Sequence, residues 1–376
     1  MRSSGNSGTD EERARNVLSR LQKCQTDAGL TDGQSAQLLL QLQADFLKLR
    51  KASPTAASVL RVEQELQTTA RARRVRLRPS KWNFPRGMQD FQYIHGTSAK
   101  SGKEGSGDCA GLERNLLLLL HGFGGRKEPF VDFAQTMRLP LTACLVFNAP
   151  EALPEELLDD PPGFSWFSMW DETTGDFIQP SPKERRRLKS MESCKDLLWK
   201  AISVLTAEVG WCLNEIFLFG YGQGGSVVLD MLLQAPPASF GRASLGGTVA
   251  VAGEVLPERR HGTPRLEGQE AAVLLINGGK DRLTSPEAAE ASAQYLRQAL
   301  RGPVRLEIFP DRGAEMLHGE RESRCFMEFL SEHLHGVGRK GSEEAMHKLG
   351  ADPVSFTDDG LCVVKQVSDC FLDEMD

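Results

Sequence analysis

The sequence predicts an α/β protein: a mostly parallel central sheet flanked by helices, preceded by a helical extension. Three observations carry this expectation. Short apolar runs recur at 116–120, 143–147, 215–219, 247–251, 272–276 and 304–309. Runs that are apolar at nearly every position, not every second one, belong to strands buried on both faces. Longer stretches of helical character (191–209, 224–235, 286–301 and 320–334) lie between several of them, as parallel pairing requires. Hydrophobic residues make up 40% of the 376, enough for a large core and a smaller unit beside it.

Taken in order, residues 1–9 are Ser/Gly-rich and read as disordered, and residues 10–80 read as a helical extension. Asp10 or Thr9 can cap a first helix, which carries Val17, Leu18, Leu21 and Cys24 and can end at Gly29. Thr31 or Asp32 can cap a second with the stripe Leu38, Leu39, Leu42, Phe46 and Leu49, broken by Pro54. A third spans about 56–74, with Val59, Leu60, Val62 and Leu66. These helices form either a small bundle of their own or a layer on the main domain. Arg71, Arg73, Arg74, Arg76, Arg78, Lys81 and Arg86 follow as a solvated hinge or a docking patch. The main domain is expected over 81–336, with a Gly/Ser/Lys-rich loop at 96–111. Residues 337–376 form a tail in which 361–367 can add an edge strand.

Charge and cysteine usage exclude several classes. A formal charge of −6 gives no basic field for nucleic acid. The longest pure apolar run, 116–120, is far short of the roughly 20 residues of a membrane span. The N-terminus has no apolar signal region. Eight scattered cysteines without a CxxC pair point to a reduced, cytoplasmic protein. His333, His335 and His347 lack partners at metal-ligand spacing, and no metal or other cofactor is expected.

Parallel sheets bind ligands at the carboxyl ends of their strands, so the strand ends are where chemistry is sought. After the run 116–120 comes His121-Gly122-Phe123-Gly124-Gly125, a turn that can present backbone N–H groups to a cleft. After 215–219 comes Gly220-Tyr221-Gly222-Gln223-Gly224-Gly225 and then a helix. This is the strand–turn–helix setting of a nucleophile elbow, Gly-x-Ser-x-Gly, with glycine where the serine belongs. The same residues spell Gly-x-Gly-x-x-Gly, so a dinucleotide-binding module using Gly220, Gly222 and Gly225, with Glu254 on a ribose hydroxyl, is the alternative.

The ordered series of His121–Gly125, Asn148-Ala149-Pro150-Glu151, Trp166-Phe167, Gly220–Gly225, Ala252-Gly253, Leu256-Pro257 and Gly279-Lys280-Asp281 resembles one family. It is similar to the acyl-protein thioesterase/carboxylesterase branch of the α/β-hydrolases, whose elbow reads Gly-Phe-Ser-Gln-Gly-Gly. The resemblance covers roughly 112–334 and implies an α/β-hydrolase fold acting on acyl esters or thioesters. It implies that Gly222 stands at the nucleophile position, that Asp281 is the acid of the triad, and that Phe123 and Gln223 supply the oxyanion N–H groups. The family's base follows Tyr-Pro-Gly-x-Gly; here Phe309-Pro310-Asp311-Arg312-Gly313 leads to Ala314, with His318 four residues on as the candidate base. Ser226, one turn into the helix, is expected to face the packing and not to substitute for the missing serine.

His121, Trp166 and Phe167 are expected in the pocket, although the aromatic segment 163–170 can equally be core. The basic stretch 180–190 reads as a solvated segment, at a lid edge or a surface helix start. The expectation is an impaired hydrolase that binds an acyl or carbonyl ligand, or a protein partner through its N-terminal helices. The alternative from the same family is an active ester or thioester hydrolase with a non-standard site.

Overall fold

The computed structural model describes residues 7–97, 109–153, 163–171, 173–174, 176–181, 183–261, 269–317 and 319–336. The N-terminal part holds α1 (Ser7–Thr26), α2 (Asp32–Ala52) and α3 (Ala57–Ala72). Helix α1 begins inside the stretch expected to be disordered. Its first turns are anchored by Asp10, which is buried and accepts from Ser53 Oγ at 3.0 Å and from Arg13. Thr31 is the cap of α2, closed by a reciprocal bond with Gln34. The stripes foreseen on these helices meet one another: Val17, Leu21, Leu39, Leu42, Phe46, Val59, Val62 and Leu66 share one hydrophobic core.

The main domain begins with β1 (Phe91–Ile94), followed by β2 (Asn115–Leu120), α4 (Lys127–Met137) and β3 (Thr142–Phe147). A short antiparallel pair, β4 (Glu151–Ala152) and β5 (Phe164–Ser165), precedes α5 (Arg186–Val204). Next come β6 (Ile216–Tyr221), α6 (Gln223–Leu232), β7 (Gly247–Val251) and α7 (Pro257–Arg260). β8 (Ala272–Gly278), α8 (Pro286–Ala299), β9 (Val304–Phe309) and α9 (Glu320–His333) complete it. The main sheet runs β1-β3-β2-β6-β7-β8-β9, parallel throughout except for β1.

Alternate residues of the same strand feed two separate cores. Leu116, Leu118 and Leu120 pack with α5, α6 and α8, whereas Leu117 and Leu119 pack with α4 and α9. Each fully buried leucine contributes about 1.5–3 kcal/mol, so both faces of β2 hold the sheet centre in place. β2 and β6 are neighbours, yet the chain leaves β2 toward β3 on the opposite side. Their carboxyl ends therefore flank the point where the strand order reverses, the place where such sheets bind ligands.

The basic segment is neither a solvated hinge nor an open patch along its whole length. Arg71 donates to Ala207 O, Arg73 to Cys24 O and Asp27 O, and Arg76 to Gly210 O. Arg76 also grips Glu215 through two bonds of 2.6 and 2.8 Å and lies over the Trp211 ring. Arg71 and Arg76 strap the helices to the main domain and Arg73 ties α3 to the end of α1, while Arg74, Arg78, Lys81 and Arg86 stay exposed. The expected tail strand at 361–367 lies outside the described residues.

Candidate active site

The turn after β6 sets the geometry. Gly222 stands at φ 52°, ψ −117°, the left-handed side where an L side chain is strained. A Cβ built there would meet nothing nearer than Gly122 Cα at 3.7 Å, so the position is open above the cleft. Its neighbours are different. A Cβ on Gly220 would lie 2.3 Å from Gly224 O, and one on Gly224 would lie 2.6 Å from Leu120 O and His121 O. The glycines of the elbow thus let β6, α6 and the end of β2 touch, a packing reason that needs no phosphate.

Gln223 is the first residue of α6, so its N–H has no acceptor within the helix. Its side chain is a clamp: Oε1 accepts from Trp166 N at 2.8 Å and Nε2 donates to Phe167 O at 2.7 Å. In the turn after β2, Gly124 N donates to Phe164 O and Gly125 N to Gly122 O, and Phe123 N takes no part in that backbone network. Both expected oxyanion residues, Phe123 and Gln223, border one cavity of about 320 Å³.

His121 and Trp166 do not line that cavity. Both are fully buried behind it, with Trp166 Nε1 donating to His121 O at 2.8 Å. His121 donates from Nδ1 to Gly122 O at 2.7 Å and accepts the Ala149 N–H on Nε2 at 3.0 Å. Both ring nitrogens are occupied in the neutral form, and burial pushes the imidazole down to about 4. It is a scaffold for the turn, not a base. Of the expected pocket residues, Phe167 alone lines the wall, joined by Met169, Ile178 and Leu256.

Asp281 follows β8 and is buried. Its Oδ1 accepts from Leu283 N at 2.8 Å and Thr284 N at 2.9 Å. Its Oδ2 has no hydrogen-bond partner among the described residues. Burial raises its pKa, against the two backbone bonds and Arg312, which favour the carboxylate. Leu283, Thr284 and Ala314 all border the cavity with Gly222. Ala314 is tied to the elbow, for Tyr221 Oη donates to Ala314 O at 2.7 Å. Ala314, the position at which the resemblance leads one to expect the histidine, is therefore at the cleft, and it carries a methyl group. His318 lies outside the described residues.

Two residues depart from expectation. Ser226 lines the cavity instead of facing the packing, and its Oγ accepts from Glu254 N at 3.3 Å. Arg187, expected in a solvated segment, is 4% exposed and borders the same cavity. Its sequence neighbours hid it within a run of three arginines. The signal that reveals it is helical spacing: Arg187, Met191, Cys194 and Leu198 fall on one buried face of α5.

A mostly parallel sheet with a strand–turn–helix elbow at its central strand, an acidic residue after β8 and a glycine turn after β2 defines an α/β-hydrolase domain. The profile of the Phospholipase/Carboxylesterase family matches residues 109–338, and the chain belongs to that family. An uncharacterized hydrolase of Schizosaccharomyces pombe is 30% identical over 225 residues, covering 59% of this chain and 84% of that protein. An uncharacterized hydrolase of Mycosarcoma maydis is 30% identical over 135 residues, 35% of this chain, and the chain spans about half (47%) of its length. The crystal structure of esterase PE8 superposes with a TM-score of 0.50 at 21% identity, over 65% of this chain and 99% of that one, a likeness of fold. No helix among the described residues is long and apolar enough to cross a membrane.

Proposed function

We propose that this chain is a catalytically impaired carboxylesterase-type protein whose cleft binds an acyl or carbonyl ligand. The observation that carries the reading is Gly222 itself. It holds the elbow conformation at an open cavity that Phe123 and Gln223 also line, and it has no hydroxyl to attack. Acyl transfer by this machinery needs a nucleophile and a base, and Ala314 stands where the family places the base. Losing the serine costs about 10⁶ in kcat in subtilisin, while donors and binding alone keep about 10³–10⁴ over water. The same donors would still hold a carbonyl oxygen.

A second reading is favoured by one atom. Asp281 Oδ2 is buried without a described partner, an acceptor suited to an imidazole N–H. In that reading His318 takes the bond, and a water or another group attacks. Hydrolysis of a short-chain ester and an acyl thioester by the full-length wild type separates the two. Turnover at the buffer background is expected. Clear turnover that His318→Ala removes overturns the impaired reading in favour of the second.

A further inference from the structure

The cavity holds a cation that the family's chemistry does not use. Arg187, in the first turn of α5, is almost wholly buried and faces the cleft shared by Gly222 and Gln223. Its Nε and Nη1 have no hydrogen-bond partner among the described residues. Glu258 lies 3.4 Å away as an ion-pair partner, but neither of its carboxylate oxygens makes a hydrogen bond to a described residue. The Phe167 ring, 5.9 Å off, offers its face and no acceptor. Of the other nearby carboxylates, Glu254 is engaged by Arg260 at 3.0 Å and Glu184 by Arg186 at 2.7 Å. Burial of Glu254 raises its pKa, which weakens any claim on Arg187. A buried guanidinium with idle N–H groups is costly unless something in the cleft completes it. The fork of N–H groups matches a carboxylate. The cavity that Arg187 and the elbow share is also lined by Phe167, Met169, Ile178 and Leu256, apolar side chains suited to methylenes.

We propose that the cavity selects acyl ligands bearing a second, terminal carboxylate, with that carboxylate on Arg187 and the acyl carbonyl at the Phe123 and Gln223 amides. This rests on the reading of the cleft as an acyl-ligand site. The test is calorimetric titration of the full-length protein with monomethyl adipate and with dimethyl adipate. The two share the ester carbonyl and differ in the far carboxylate. The monoester is expected to bind about tenfold tighter or better, the scale of one charge-assisted pair. Arg187→Gln is expected to abolish the preference. Because that variant strands Glu258, Arg187→Gln/Glu258→Gln is tested beside it, with circular dichroism as the folding control. Equal binding of the two esters overturns the anion reading and leaves the acyl-ligand reading standing. A preference that survives the folded double variant also overturns it. Binding of neither ester overturns both readings. Release of methanol overturns only the loss of turnover, and the preference is then read from KM.

Discussion

At Gly222 the backbone occupies φ 52°, ψ −117°, where a side chain costs about 1–3 kcal/mol. The space above it is nonetheless free. Gly222→Ala is therefore expected to fold and to lose about 1–3 kcal/mol in urea denaturation, with no change in the m-value. Gly220→Ala is expected not to fold, because its Cβ would sit 2.3 Å from Gly224 O. If both alanines are equally tolerated, the close approach of β6 and α6 is wrong. His121 supplies a pH signature. Its folded value of about 4 lies below the ordinary value of 6.5, so the unfolded chain binds the extra proton between them. The stability it contributes is full above pH 6.5 and is lost as the pH falls toward 4. From pH 7.5 to 4.5, the wild type is expected to lose about 2–3 kcal/mol more than His121→Gln. Comparing the two chains cancels the other groups, including Asp281, whose raised value acts in the opposite direction. Equal losses would mean that the ring is not held neutral.

The elements were largely legible because the physics that makes them is local. Largely apolar strands gave β2, β3 and β7 nearly to the residue, and β9 came from the alternating Val304, Leu306 and Ile308. β1 was not foreseen: Phe91-Gln92-Tyr93-Ile94 is a short, half-buried edge with no apolar run to show it. β8 reaches past its apolar run through Asn277 and Gly278, since pairing with β9 does not depend on side-chain polarity. The order of the motifs gathered Gly222, Ala314 and the loop after Asp281 at one cleft. Charge runs were misread because a sequence does not say where an arginine's head goes. Arg187 turns into the core, and Arg71, Arg73 and Arg76 bind carbonyls and Glu215. The strap makes its own prediction. Arg76→Ala removes a partly buried two-bond pair and is expected to cost about 1–3 kcal/mol. Hydrogen exchange is expected to quicken in α1–α3 while β2, β6 and β7 stay protected. Unchanged exchange in the helices would mean that their attachment does not depend on Arg76.

On the scale of the whole molecule, the cleft is an assembly of strand ends that lie far apart in the sequence. The turn after β2, the elbow after β6, the turn after β8 and the loop after β9 each bring one part. In the reading proposed above, two of the parts, at 222 and 314, lack the group that acyl transfer needs, while the scaffold around them is kept. Tyr221 Oη holds Ala314 O, Thr284 and Leu283 hold Asp281 Oδ1, and Asp281 Oδ2 has no partner among the described residues. A scaffold kept in this form should accept the missing chemistry back. Gly222→Ser alone supplies an unactivated hydroxyl, so it is expected to stay near the wild-type background. Gly222→Ser/Ala314→His supplies the base as well, at the cleft that the Asp281 loop also borders. The double variant is expected to hydrolyse a short-chain p-nitrophenyl ester at least about 10³-fold faster than Gly222→Ser, a part of the roughly 10⁶ that separates a working triad from binding and donors alone. Its pH profile should rise through the range of a histidine base. Turnover by Gly222→Ser alone, lost again on His318→Ala, would show that the base never left and that the serine was the whole deficit. A folded double variant without turnover would mean that the loop after β9 does not point position 314 at the elbow, and that this cleft has diverged in shape as well as in residues.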